Sequence, residues 1–272
     1  VFFFVGGYAN LVAYDSARRR GATVLDFMRD RARRLLLPSA ALLGVWAVVQ
    51  VGLHLTDTGG SSGPSVGGVG LLRGVRPPGQ TIPFGPLWFL AVYLVVVCLS
   101  PLTIALHRRF RWAVPAVMVL GTVAADAVGF LGGQDGIRYL NVVFVLLLPH
   151  QLGHFYGDGS ADRWPRGALW AMVVVGLGGL VLATNPWLFR LAGDDRFEWF
   201  PGIGHYPRSL LGTDVESVSN AYPPTVCFLL VGIWLIGAVL LLRPRLTAWL
   251  QQPGPWKATI AGNAWIMTLF LW

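Results

Sequence analysis

Two arginines at helical spacing are the leading candidates for a functional role in this chain. Arg31 and Arg34 stand three residues apart in a cationic segment that joins two apolar stretches. Residues three apart lie on one face of a helix, and the planar guanidinium of arginine pairs bidentately with phosphate oxygens. The pair therefore predicts a clamp for a phosphorylated donor group. A second interpretation is that these charges only fix the orientation of a membrane protein.

A histidine pair is the other candidate for chemistry. His150 and His154 stand four apart, so a helix would place both imidazoles on one face. A metal site would need a third ligand, and Gln151 replaces the glutamate of the zinc motif HExxH. Three interpretations stay open: a metal pair, general-base chemistry by a neutral imidazole, and packing at an interface. We keep both histidines as weak catalytic candidates.

The long segment 189–222 mixes carboxylates with aromatic residues, a combination by which proteins commonly hold sugars. Loops longer than about 12 residues are usually functional or disordered, so this segment predicts a cap over a polar acceptor site. The alternative is an ordinary loop whose aromatic residues rest at the lipid interface. The candidate acceptor-binding residues are Trp199, His205, Tyr206, Arg208 and Asn220.

Isolated polar residues also fall within or near the ends of the apolar stretches. Asp126 is the one formal charge clearly inside a predicted span, which makes it a functional hypothesis. Its position near the end of the span also predicts contact with water or with an arginine such as Arg138. Asn10 and Asn141 are expected to form interhelical hydrogen bonds. Cys98 and Cys227 read as core residues, because two isolated cysteines make no CxxC site.

The composition identifies an integral membrane protein. Hydrophobic residues make up 54% of the 272 residues, charged residues only 12%, and the mean hydropathy is +0.58. No water-soluble domain of this length has such values. The pI near 10.2 follows from arginine-rich turns that face anionic lipid, so it does not call for a nucleic-acid partner.

Apolar runs of about 20 residues predict an all-α, polytopic transmembrane bundle. The predicted spans are 1–14, 35–56, 85–106, 112–131, 139–156, 168–188, 223–242 and 259–272. We expect them to form a single domain over residues 1–272, with a flexible Gly-, Ser- and Pro-rich loop at 57–86. Because the first and last spans look cut short, the sequence reads as a fragment of a longer protein.

The distribution of positive charge predicts the orientation. If consecutive spans alternate in direction, loops on one side carry 15 of the 21 Lys and Arg residues. Such an excess marks the cytoplasmic side. This places the arginine-rich loops in the cytoplasm and the long loop 189–222 outside a plasma membrane.

Five stretches in the same order along the chain resemble the family-3 membrane acyltransferases, which acylate sugars and other cell-envelope molecules. They are 2–8 (FFFVGGY), Arg31–Arg34, 86–90 (PLWFL), the outer-loop pieces 206–209 and 219–225, and 263–272. Residues 2–8 resemble the family's second helix, although Gly6 stands where a serine is common. Arg31 to Arg34 match the family's cytoplasmic Arg-x-x-Arg.

The resemblance implies transfer of an acyl group from a cytoplasmic acyl-CoA-type donor to a hydroxyl of a carbohydrate or other envelope acceptor. It implies Arg31 and Arg34 as donor-binding residues, the lipid bilayer as surroundings, and no metal or bound cofactor apart from the co-substrate. The family's catalytic histidine belongs to a helix expected upstream of Val1, so no residue here inherits that role.

Two other functions remain open from the sequence alone. A transporter or flippase of a lipid-linked or sugar substrate would also have many helices and an aromatic outer loop. Scarce intramembrane charge and the lack of an evident inverted repeat weigh against it. A catalytically inactive partner in an envelope-assembly complex is the other alternative.

Overall fold

The computed structural model describes residues 1–55, 87–185, 193, 198–201, 204–208, 219–221 and 223–271. Within these ranges the chain is helical, apart from turns and two isolated β-bridges that lie in and after the long loop. The all-α prediction is confirmed. The predicted flexible loop at 57–86 lies outside the described residues.

Eight long helices form the described part of the chain. They are α1 (Phe2–Arg19), α2 (Val24–Leu55), α3 (Leu87–Phe110), α4 (Ala113–Gly132), α5 (Asn141–Gly157), α6 (Arg166–Thr184), α7 (Val226–Leu250) and α8 (Pro253–Leu271). Short 3-10 turns at Asp135–Leu140 and Ser160–Arg163 precede α5 and α6.

Four described helices are long and apolar enough to cross a membrane. Their apolar spans are Leu90–Phe110, Ala113–Gly132, Arg166–Thr184 and Val226–Leu250. Each overlaps one of the predicted spans, which confirms the multi-pass character of the chain. The predicted total of about eight spans stays a prediction.

The chain divides into two compact units, of which the first comprises Val1–Ala13 and Leu102–Leu246. Helix α5 is its most buried element, since nearly every residue from Val145 to Phe155 is excluded from solvent. A core of Phe4, Leu152 and Ile236 joins α1, α5 and α7 in this unit. The prediction of a single domain stays a prediction.

Within this unit α1 and α5 cross at backbone contact. A Cβ added to Gly7 would lie 1.9 Å from the carbonyl oxygen of His150, and one added to Gly153 would lie 2.1 Å from that of Phe4. Small residues at a helix crossing allow such an approach, and in a membrane close packing is a main source of helix association. The glycines therefore set the distance at which polar side chains of the two helices meet.

The second unit comprises Tyr14–Pro101 and Thr247–Trp272. Helix α2 begins with a reciprocal cap: the backbone N–H of Thr23 donates to the Asp26 carboxylate at 2.8 Å, and the N–H of Asp26 donates to the Thr23 hydroxyl at 3.1 Å. Such a capping box satisfies free N–H groups at a helix start. Phe27 in the next position is buried, and its ring meets that of Tyr14 edge-on at 5.3 Å.

We expect Gly153→Ala to destabilise the protein because its methyl group would overlap backbone atoms of α1, which have no rotamer by which to move. Overpacking of this kind costs about 1–3 kcal/mol or more. Gly178→Ala is the matched control, since no atom lies within 4 Å of its added Cβ. In detergent the melting temperature should fall by about 5 °C for Gly153→Ala and stay level or rise for Gly178→Ala. Equal melting temperatures for the two variants would contradict the close contact between α1 and α5 at Gly153.

Candidate functional site

A group of buried polar side chains lies where α1, α3 and α5 meet in the first unit. Asn10, His150, Gln151 and His154 are fully excluded from solvent, and His107 is 2% exposed. The imidazoles follow one another, with ring centroids 4.7 Å apart for His150 and His154 and 5.6 Å apart for His107 and His154. The predicted histidine pair is therefore part of a triad. We call these five residues the histidine cluster.

Hydrogen-bond partners fix the tautomer of each histidine. His154 Nδ1 lies 3.1 Å from the carbonyl oxygen of Gly7, which only accepts, so Nδ1 carries the hydrogen and donates. Its Nε2 then accepts from the hydroxyl of Thr103 at 3.2 Å. Both nitrogens of His154 are thus engaged, and the ring joins α5 to α1 and α3.

His107 is held in the opposite tautomer. Its Nε2 donates to the carboxylate of Asp158 at 3.1 Å, and its Nδ1 accepts from the side-chain amide of Gln151 at 3.0 Å. His150 Nε2 accepts from the amide of Asn10 at 3.2 Å, which confirms the predicted interhelical hydrogen bond of Asn10. The remaining His150 Nδ1 therefore carries a hydrogen and has no partner among the described residues.

This arrangement bears on the three interpretations of the histidine pair. Within the described ranges no group of three His, Cys, Asp or Glu side chains is placed to hold a metal ion. A general base needs a free lone pair within reach of its substrate. The Nε2 lone pairs of His150 and His154 are both directed at protein donors, so the rings act here as helix connectors. Their catalytic role stays a prediction.

Asp158 closes the histidine cluster at the end of α5. Its carboxylate accepts from His107 and from the backbone N–H of Ser160 at 2.8 Å, and it lies 3.6 Å from the guanidinium of Arg111. Burial favours the neutral acid, but the hydrogen bonds from Ser160 and His107 outweigh burial and hold the pKa of Asp158 below its usual value. Asp158 is therefore an anion that keeps Nε2–H on His107.

Arg111 reaches this carboxylate from a strained backbone position. Its φ is +44°, in the left-handed region that L side chains rarely adopt. The guanidinium donates to the hydroxyl of Ser160 at 2.7 Å and lies 5.8 Å from the ring centroid of Phe155. The turn between α3 and α4 thus directs a cation at the end of α5. Sequence reasoning missed His107, Asp158 and Arg111 as one group.

A second polar cluster surrounds Asp126 at the other end of α4. The carboxylate, fully buried, accepts from the amide of Asn141 at 2.7 Å and from the backbone N–H of Val226 at 2.8 Å. The hydroxyl of Tyr206 donates to the same carboxylate, and Arg138 adds a favourable charge interaction, as the sequence predicted. Asp126 therefore caps the positive end of α7.

Two of the predicted acceptor-binding residues belong to this second cluster. Tyr206 is 7% exposed and packs against the rings of Phe130 and Phe200. Asn220 is fully buried, donates to the carbonyl oxygen of Pro207 and accepts from the hydroxyl of Thr225 at 2.8 Å. Tyr206 thus packs the long loop against α4, and Asn220 ties Pro207 of the loop to Thr225, which directly precedes α7.

The other three predicted acceptor-binding residues are more accessible. Trp199 is 39% exposed, and its indole N–H donates to the carbonyl oxygen of Leu182 at 3.3 Å. His205 is half-buried, whereas Arg208 is exposed. Asp194, Asp195, Asp214 and Glu216, which also suggested a sugar site, lie outside the described residues.

The predicted donor-binding arginines lie on α2 in the second unit. Arg31 is half-buried, with its guanidinium carbon 5.8 Å from the ring centroid of Phe27, and Arg34 is exposed. Burial, opposed by Tyr93 and reinforced by the charge of Arg34, lowers the pKa of Arg31 from its usual range. Arginine remains charged at neutral pH even so.

The fold defines a helical, multi-pass membrane protein. A protein-family model for the acyltransferase domain of family 3 matches residues 1–272. The chain belongs to this acyltransferase family, which confirms the resemblance read from its five stretches. No curated protein and no solved structure matches the chain.

The low pKa of Asp158 predicts a pH-dependent contribution to stability. A depressed pKa stabilises the fold above the ordinary value near 3.9, and this stabilisation is lost as the pH falls through the folded-state pKa. We expect wild type to melt above Asp158→Asn at pH 5–6 and the gap to close below about pH 4. A gap that does not change with pH would contradict an ionised Asp158.

We expect Asp126→Ala to release the long loop, because Tyr206 and the first turn of α7 lose their acceptor. The loss of hydrogen bonds to a buried carboxylate costs about 2 kcal/mol or more. Limited trypsin digestion after the exposed Arg208 reports the change, and cleavage should be faster than in wild type. Asp162→Ala is the control, since that exposed carboxylate pairs with Arg243 instead. Equal cleavage in both variants would argue against the anchor.

Proposed function

We propose that this protein is a membrane-bound O-acyltransferase that moves an acyl group from an acyl-CoA-type donor to a hydroxyl of a carbohydrate or other cell-envelope acceptor. The observation that carries the proposal is the family match over the whole chain. The four apolar helices of the described residues support a membrane location, and the charge distribution supports a plasma membrane with arginine-rich loops in the cytoplasm.

Arg31 and Arg34 bind the donor in this proposal. Both belong to the uninterrupted helix α2, so their three-residue spacing places them on one face. Arg31 is held against the ring of Phe27, which restricts its rotamers, while Arg34 is open to solvent. A half-buried and a solvent-exposed guanidinium suit a diphosphate, because each can pair with one of its two phosphates.

The reaction is nucleophilic substitution at a thioester. The acceptor oxygen forms a bond to the carbonyl carbon, the C–S bond breaks, and the hydroxyl proton passes through a base to the departing thiolate. The base has to keep a lone pair available near neutral pH. His150 and His154 are weak candidates for it, because each already accepts a hydrogen bond at Nε2.

The acceptor is bound in this proposal by the long loop on the extracytoplasmic side. Trp199 supplies an accessible ring for stacking on a sugar, and the same loop carries the exposed Arg208 and the half-buried His205. Tyr206 and Asn220 are buried and contribute indirectly, because their side chains hold the loop in place. Loop and bundle are thus joined through Asp126.

Arg31→Lys tests the donor site because it keeps the charge and removes the planar fork. We expect about a tenfold rise in KM for the acyl-CoA donor, equal to about 1.4 kcal/mol of lost phosphate binding. Arg33→Lys is the matched control: it lies in the same turn, on another face, and is exposed. Transfer of a radiolabelled acetyl group by the purified protein measures both variants.

Unchanged donor affinity in Arg31→Lys would remove the clamp and leave the acyltransferase proposal in place. Absence of label transfer by the wild-type protein, combined with movement of acceptor between leaflets of a vesicle, would replace the proposed activity with transport.

A further inference from the structure

A groove between α6 and α7 in the first unit combines an apolar wall with two arginines. It has a volume of about 520 Å³ and lies along the surfaces of two helices that are apolar enough to span a membrane. Its lining residues are Arg166, Trp170, Val173, Ala238, Leu241, Leu242, Pro244 and Arg245. None of the candidate catalytic, donor-binding or acceptor-binding residues lines it.

The two arginines lie at one end of this groove. Arg166 is the first residue of α6 and Arg245 lies in the last two turns of α7, and both side chains are exposed. Their neighbour Arg243 is paired with Asp162. Among the described residues no carboxylate forms an ion pair with Arg166 or Arg245, so the groove ends in two positive charges.

The remainder of the wall is hydrocarbon and aromatic. Trp170 is 59% exposed and Leu242 is 47% exposed, which is a large apolar area for a surface that ends in arginines. Within a bilayer the medium along this wall is lipid chains, and tryptophan is enriched where chains meet headgroups. A larger groove of about 610 Å³, lined by Trp112, Leu148, Trp164 and other residues, has no charged lining residue. Only the first of these two grooves offers both parts of a lipid site.

We infer that this groove binds an anionic phospholipid. The phosphate lies between Arg166 and Arg245, and one acyl chain follows Trp170, Val173 and Ala238 along the helices. Basic residues at the end of a membrane helix attract anionic headgroups, and the guanidinium forks add directed hydrogen bonds. The positive first turn of α6 contributes in the same direction. This binding site is independent of the acyl-transfer reaction.

Native mass spectrometry of the whole chain in detergent, titrated with phosphatidylglycerol or phosphatidylcholine, tests the inference. For wild type we expect one phosphatidylglycerol to be retained with about tenfold preference, since each basic residue near the surface contributes a several-fold factor. The double variant Arg166→Gln/Arg245→Gln should bind both lipids equally. Arg108→Gln/Arg109→Gln, which removes two exposed arginines at the end of α3, is the matched control and should keep the preference.

A second pair of variants tests the acyl-chain part. Ala238→Phe places a ring in the path of the acyl chain and should lower retention of phosphatidylglycerol, whereas Ala171→Phe, an exposed alanine of α6 outside both grooves, should not. Equal retention of the two lipids by wild type would overturn the inference, as would a preference that survives the loss of Arg166 and Arg245. Competition by an acyl-CoA for the same single site would assign the groove to the donor instead. Each experiment measures the mass of the protein with bound lipid and requires no acyl transfer. Its result is therefore independent of the proposed activity.

Discussion

The contact between α1 and α5 at Gly7 and Gly153 is the constraint on which the polar interior of the first unit depends. With a side chain at either glycine the helices would move apart by more than the tolerance of a hydrogen bond. His154 could then no longer reach the carbonyl oxygen of Gly7, 3.1 Å away, and Asn10 would lose His150. Because neither glycine has a Cβ atom, the helices approach closely enough for hydrogen bonds that offset the cost of burying the imidazoles.

In the first unit, two clusters of described polar residues lie at opposite ends of α4 and α5, and each has a carboxylate at its centre. Asp158 orders the histidines through His107, whereas Asp126 orders the long loop through Tyr206 and the start of α7. Both carboxylates accept from several donors, which compensates for their removal from water. The loop residues differ in the same respect. Asn220 is buried and its side chain bonds to other parts of the protein, whereas the ring of Trp199 is exposed.

The sequence predicted the helical class, the multi-pass character and the family because these depend on composition, run length and the order of short motifs. It also predicted hydrogen bonds for Asn10 and an interaction of Asp126 with Arg138, since a polar group inside a span has to find a partner. It did not place His107 with His154, because these residues are 47 positions apart and their contact depends on how α3 and α5 pack. The polar residues of 189–222 looked equivalent as a list, and only burial distinguished anchors from accessible groups.

The sequence separation of these contacts has a consequence for biosynthesis. Asp126 meets Asn141 after only 15 further residues, but its partner Val226 is 100 residues away, and Gly7 waits 147 residues for His154. At about 5–20 residues per second, Gly7 is synthesised roughly 7–30 s before His154. During that interval the glycine face of α1 lacks its partner on α5, whereas Asp126 reaches its partner Asn141 early.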